Sequence, residues 1–589
     1  MTWGSDLATG AVGAAALCFA LGCSDGADAG APRGFGATSD TTGTEGSFGF
    51  GNTGPAPVGT GTGTDFTGAN GAAQMAGAAP LDTVPPPLPQ ESELRLDFEL
   101  PQASQRFVYA ANPGSGTVSI IDAESLAIQT LETGERPTFL KALANTDDAI
   151  VLNAGSDDAT IMRDPAGGVK STTVPVVDGA NAIAVAPDGK HAVAYFNSEF
   201  SSAGSSSGSF QDVTLITLTA GGDSAVDMTV GFRPRDVFFA EDGSEAYVVT
   251  EDGVSVLNFL DIEEKGTGIA RLVSLGQSAD QRSLDVSVTS DGRFALARQP
   301  GESSIRLVSL QGSGAGEATA LDLAELVPDA GSGGDADAGV PTAPAAVTDL
   351  DLAPNGKFAL AVLRGQSALL RIPVPGGFED PELVGATVIE DELIGSVEIA
   401  PASDLALLYT TAVPIERVTI AALEGDAETR TVALRKAVEA IAFAPDGKTA
   451  LIMHSKAEGN PFEPGIDPDL QIDRSFGYSV LRTLSGDVKL QVTDTPPGAF
   501  SLVPDGSHVF VLFRDDASGL RDVHSVETKS FLVEIVSLGS PPISVGSVPD
   551  RKRVFVGQDH PDGRITFIDW ETGQRQTVTG FELNSRIRD

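Results

Sequence analysis

Cysteine is almost absent from this chain of 589 residues: there are two, Cys18 and Cys23, both at the N-terminal end. The remainder has no disulfide and no thiolate metal site, so packing must hold it together. Basic residues are scarce as well. Lys and Arg number 38 against 81 Asp and Glu, a formal charge of −43. Such a chain repels nucleic acid and anionic lipid surfaces, which excludes nucleic acid as a partner. Histidine is limited to His191, His454, His508, His524 and His560, with no pair at zinc-ligand spacing. No Gly-x-Ser-x-Gly elbow, P-loop or dinucleotide fingerprint occurs. The sequence therefore assigns no catalytic and no cofactor-binding residue. Long helical periodicity is missing too.

What is present begins with the apolar run 11–21, well short of the roughly 20 residues that a spanning helix needs. It ends at Gly22-Cys23. A small residue before Cys after such a run resembles a bacterial lipobox, although Ala20 stands where Leu is usual. Residues 1–23 are expected to be a lipoprotein signal peptide, with Cys23 lipidated. An ordinary cleaved signal with an incidental Cys is the alternative. Residues 24–92 are rich in Gly, Ala, Thr, Ser and Pro and lack apolar periodicity. This composition reads as a tether that cannot bury enough apolar surface to fold. The expected location is the cell envelope, on the outer membrane or cell surface, with membrane contact through the lipid alone.

From residue 93 onward one pattern recurs: an apolar run, a turn built on Asp-Gly or a near equivalent, and two further strands. The clearest copies are 182–195 (AIAVAPDGKHAVAY), 350–362 (LDLAPNGKFALAV) and 440–452 (AIAFAPDGKTALI). Strong turns fall at Asp188-Gly189, Asp242-Gly243, Asp291-Gly292, Asn355-Gly356, Asp446-Gly447 and Asp505-Gly506, with degenerate ones at Asp148, Asp404 and Asp550. Self-similarity at this period predicts an all-β propeller of four-stranded blades. About ten units can be counted, which sets a range of seven to ten blades. The strands read as half-buried, with one face on a neighbouring blade. No inner strand is evident before Arg106, whereas 581–587 (FELNSRI) is surplus at the other end. Closure of the first blade by that C-terminal strand is expected.

The runs 107–112 (FVYAAN) and 117–122 (TVSIID) resemble the repeat of YVTN-type surface β-propellers. So does 564–573 (RITFIDWETG), and so, more loosely, does 247–250 (YVVT) before Val254-Ser255-Val256. The resemblance extends from about Arg106 to Gly580. It implies a propeller outside the cytoplasm, and usual members of the family carry about seven blades. It hands over no catalytic residue. The resulting expectation is a non-enzymatic binding or scaffold module for a protein or polymer partner. A lactonase-like hydrolase with residues gathered in the channel is the alternative.

One acidic loop, 458–475, holds Asp467, Asp469 and Asp473, with Glu458 and Glu463 upstream. Carboxylates at short spacing supply the oxygen ligands that Ca²⁺ takes, so these three Asp are candidate calcium ligands. They lack the glycine and terminal glutamate of an EF-hand loop, and a solvated acidic loop is the alternative.

Overall fold

The computed structural model describes residues 89–91, 102–143, 146–200, 208–219, 222–265, 268–276, 284–327, 346–389, 392–423 and 429–582. The expected signal peptide with Cys23, nearly all of the tether, and the low-complexity stretch 328–344 (PDAGSGGDADAGVPTAP) lie outside these residues.

Six turns that the sequence marks share one local chemistry. In each, the glycine has φ between 65° and 69°. Its N–H donates to the carbonyl three residues earlier, as Gly189 does to Ala186 and Gly506 to Val503. The Asp or Asn before it accepts the N–H two residues on: Lys190 to Asp188, Ser244 to Asp242, Arg293 to Asp291, Lys357 to Asn355, Lys448 to Asp446 and Ser507 to Asp505. Only the glycine is left-handed, so these are type I turns with a following left-handed residue. Degenerate copies place an ordinary residue there instead. Ser403 has φ 59° and Lys552 φ 49°.

Each turn joins the first two strands of an antiparallel sheet. There are ten sheets, built from residues 102–132, 137–175, 182–229, 236–273, 285–322, 347–388, 396–433, 438–493, 500–537 and 542–579, numbered here as blades 1 to 10. Nine have four strands. In blade 3 a fifth short strand, Gly268–Ile269, is lent by the outer part of blade 4 and pairs in parallel.

Ten apolar clusters hold the blades together, one per seam. Phe107 and Tyr109 of blade 1 pack with Leu140 and Val151 of blade 2. The same arrangement steps around to Phe510 and Leu512 of blade 9 against Val554 and Val556 of blade 10. The last cluster joins Phe555 and Phe567 of blade 10 to Val108 and Ile121 of blade 1, and so closes a ring of ten. Typical propellers have four to eight blades. Second and third strands are covered on both faces, as in Thr117–Asp122 and Phe358–Leu363, where every residue is buried. The sequence suggested half-buried strands. Two neighbouring blades per sheet explain the difference, because a central strand sandwiched on both sides loses its polar face. Fourth strands stay exposed, as in Lys170–Pro175 and Arg575–Thr579.

Closure differs from expectation. The inner strand of blade 1 is Gln102–Ala103, just before Arg106, and it completes a four-stranded sheet. It is too short and polar to show as an apolar run. Of the segment 581–587, Phe581 and Glu582 form a turn, and 583–587 lie outside the described residues. Phe581 is nonetheless buried in the seam between blades 10 and 1. Asp550 N–H donates to the Gln105 carbonyl across the same seam at 3.1 Å, and Arg551 pairs with Glu124 at 3.2 Å.

Candidate binding site on the inner wall

The first strand of every blade lies at a sheet edge, and first strands touch across the seams of blades 10 and 1, 1 and 2, 2 and 3, 6 and 7, and 9 and 10. They are the inner wall of the ring. Charge on this wall is uneven. Blades 4 to 8 carry Asp236, Asp285, Asp349, Asp351, Glu398 and Glu439 on their first strands. Among the described first strands only Lys141 of blade 2 is basic.

The shared turn fixes the level of each group. Asp236, Asp285 and Asp349 stand four residues before Ala240, Thr289 and Ala353, which accept the turn N–H. They therefore sit at one height on three consecutive blades. Asp351 and Glu398 sit two residues nearer the turn, on the same side of their strands by the two-residue period.

These side chains also stitch the seams. Arg235 of blade 4 donates to the Leu284 carbonyl of blade 5 at 3.3 Å. Arg298 lies on the second strand of blade 5 and binds Asp285 through Nε at 3.2 Å and Nη2 at 3.0 Å. Its Nη1 reaches the Thr348 carbonyl of blade 6 at 2.6 Å. The carboxylate of Asp349 accepts the Val397 N–H of blade 7 at 2.7 Å and the Leu350 N–H at 2.8 Å. Arg298 and Asp285 are both buried, so each needs the other: a lone buried charge costs several kcal/mol.

Burial raises the Asp285 carboxyl above the usual range, with Arg298 opposing. It pushes Asp349 up to about 6 against the pull of Arg298 and the Val397 N–H. Glu398 is pushed up to about 8, first by burial and then by the neighbouring Asp349. Burial also raises Glu439. The Glu439 side chain is nonetheless exposed to solvent. Among the described residues neither Glu398 nor Glu439 has a hydrogen bond or ion pair. Two wall carboxylates on adjacent blades thus lack a partner.

The calcium candidates are placed apart from this wall. Asp467 caps the short helix Pro468–Arg474 by accepting the Asp469 N–H at 3.0 Å. Asp469 pairs with Arg435 at 3.3 Å. Asp473 lies beside Glu416 and gives its main-chain carbonyl to Lys436 Nζ at 2.9 Å. Each has a separate engagement, and no group of three or more potential metal ligands is found among the described residues.

No histidine lies on a described first strand. His454 is buried between the Ala437 carbonyl (3.0 Å) and Ser479 Oγ (2.7 Å), and burial pushes it down to about 4. It is a neutral structural group. His524 stacks on Phe513 at 4.2 Å and meets the Tyr478 hydroxyl at 3.1 Å, and His191 stacks on Phe259 at 4.2 Å.

No protein-family model matches the chain, and no curated protein sequence does. Among solved structures it is similar to a eukaryotic initiation factor, with 10% identity, 81% of this chain and 97% of that one covered, and a TM-score of 0.44. Apo AztD from Citrobacter koseri gives 11%, 75%, 96% and 0.36 on the same measures. The β-propeller domain of Cps50 (Swd1) from Myceliophteria thermophila gives 15%, 59%, 97% and 0.29. Likeness at this level leaves the propeller assignment to rest on the ten sheets themselves.

Proposed function

We propose that the chain is a non-enzymatic binding ring, lipid-anchored outside the cytoplasm and related to YVTN-type surface propellers, which holds a partner protein by a cationic segment. The observation that carries the binding role is the pair of carboxylates, Glu398 and Glu439, without a partner among the described residues, on an inner wall whose first strands carry acidic residues in five of ten blades. A carboxyl held at about 8 is mostly protonated at neutral pH. A Lys or Arg brought beside it favours the charged form, so binding releases a proton. Affinity should therefore rise with pH up to about 8 and fall with salt. The anchor and location rest on Gly22-Cys23 and on the repeat resemblance.

The test uses the peptide acetyl-KGKGKGK-amide at fixed ionic strength. Glu398→Gln and Glu439→Gln should each weaken binding about fivefold or more, as loss of a charge-assisted contact implies. Glu132→Gln, on the outer strand of blade 1, should leave it unchanged. Equal effects of inner and outer substitutions would reduce the binding to bulk charge and overturn the reading. For the anchor, labelling with a palmitate analogue should be lost in Cys23→Ser.

A further inference from the structure

Glu91 precedes the ring in sequence, yet its carboxylate is held deep in the seam between blades 6 and 7. Arg364 Nη1 donates to one oxygen at 2.6 Å, and Thr410 Oγ1 to the same oxygen at 2.9 Å. The other oxygen accepts the Thr411 N–H at 2.6 Å, Thr411 Oγ1 at 2.9 Å and the Ala412 N–H at 3.1 Å. The Glu91 side chain is 3% exposed and that of Arg364 13%. A Cβ on Gly395 would collide with the carboxylate, so glycine keeps the floor of the cradle open.

Every donor belongs to the ring. Arg364 opens the turn between Phe358–Leu363 and Ala368–Pro373, and Thr410 to Ala412 follow Leu405–Tyr409. Gly395 is fixed by its N–H to the Tyr409 carbonyl and by Thr348 Oγ1 on its own carbonyl, both at 2.7 Å. One guanidinium, two main-chain N–H groups and two hydroxyls converge on two oxygens, which satisfies a carboxylate fully. The occupant, by contrast, brings little else: Pro89 and Gln90 are exposed. The cradle's donors thus all come from the ring, whereas among the described residues 89–91 only the Glu91 side chain enters it.

We propose that the seam of blades 6 and 7 is a binding site for an acidic side chain of an extended peptide, and that Glu91 occupies it in cis as a stand-in for a partner's glutamate. The site is independent of the inner-wall carboxylates. It is cationic where they are anionic, so a partner offering both signs of charge engages both.

The test uses full-length protein and the amidated peptide PPLPQE-amide, with PPLPQQ-amide as the neutral control. Glu91→Ala should bind the Glu peptide at least about tenfold more tightly than wild type does, and the Gln peptide about tenfold more weakly than the Glu peptide. Adding Arg364→Ala should abolish the preference for Glu. Gly395→Ala, which fills the cradle without touching a donor, should do the same if Arg364→Ala does not fold. Equal binding of the two peptides, or no gain in Glu91→Ala, would overturn the proposal. Preference for the free acid PPLPQ would assign the cradle to chain termini and overturn the side-chain assignment. A wild-type dimer that Glu91→Ala dissolves would place Glu91 in a neighbour's cradle and overturn occupancy in cis.

Discussion

Glu398 should make the ring less stable as pH rises, the reverse of what a salt-bridged carboxylate does. Its carboxyl titrates at about 8 in the folded chain against an ordinary value of 4.5. Between those values the folded state keeps the proton and the unfolded state has released it. Stability from this group is whole below pH 4.5, falls as pH rises through the window, and is gone above about 8. One pKa unit is about 1.36 kcal/mol, so the full displacement would amount to roughly 5 kcal/mol. Glu398 is only partly shielded from solvent, and screening lowers the expected loss to about 2 kcal/mol. Asp349 adds a smaller loss of the same sign between 3.8 and about 6. Glu398→Gln keeps the shape and removes the titration. Urea unfolding followed by Trp570 fluorescence, at pH 5.5 and 8.5 and fixed ionic strength, measures the difference. The variant should be ahead by only about 0.6 kcal/mol at pH 5.5, one unit into the window, and by about 2 kcal/mol at pH 8.5. Comparing the two chains at each pH cancels the shared effect of the acidic surface. A gap that is the same at both pH values would refute the reasoning.

Two further expectations concern turns and seams. Lys552 adopts the left-handed conformation at a cost of about 1–2 kcal/mol, so Lys552→Gly should stabilise by about 0.5 kcal/mol net of unfolded-state entropy. Ser403→Gly should give no such gain in the same denaturation assay, because Ser403 Oγ accepts the Asn355 N–H at 3.2 Å. Arg298→Met strands the buried Asp285 and opens the seam between blades 5 and 6, which should cost about 3–5 kcal/mol at pH 8. Because burial raises the Asp285 carboxyl, part of that loss should return as pH falls and the group takes up a proton. A pH-independent penalty would mean that packing, and not charge, dominates.

The blades were legible because their turns are written locally. An Asp or Asn that accepts the N–H two residues on, followed by a left-handed glycine, needs no distant partner to be recognised. Blade 1 was harder, since Gln102–Ala103 offers two residues and no apolar run. The inner wall was hidden in plain alternation. Asp351 in LDLAP and Glu398 in VEIAP read as ordinary polar positions of a strand, and only the ring shows that they face one another's neighbourhood rather than open solvent. Glu91 was beyond reach of any local pattern. It lies in tether-like composition, and its donors are 273 to 321 residues away.

Each blade draws its four core strands from one unbroken stretch of chain, and blades 10 and 1 meet through packed side chains rather than through an exchanged strand. The architecture is therefore modular in a strict sense. Duplicating or deleting one stretch, cut between a fourth strand and the next first strand, breaks no four-stranded ladder in the sheets that remain; only blade 4 takes anything with it, the short strand Gly268–Ile269 that it lends to blade 3. The ring could lengthen or shorten its circumference one unit at a time, each step changing the bore and the number of wall positions together. A propeller whose closing blade mixes both ends of the chain has no such freedom, because its clasp ties the two termini to one sheet. Ten blades, above the common range, are what such unclasped growth allows.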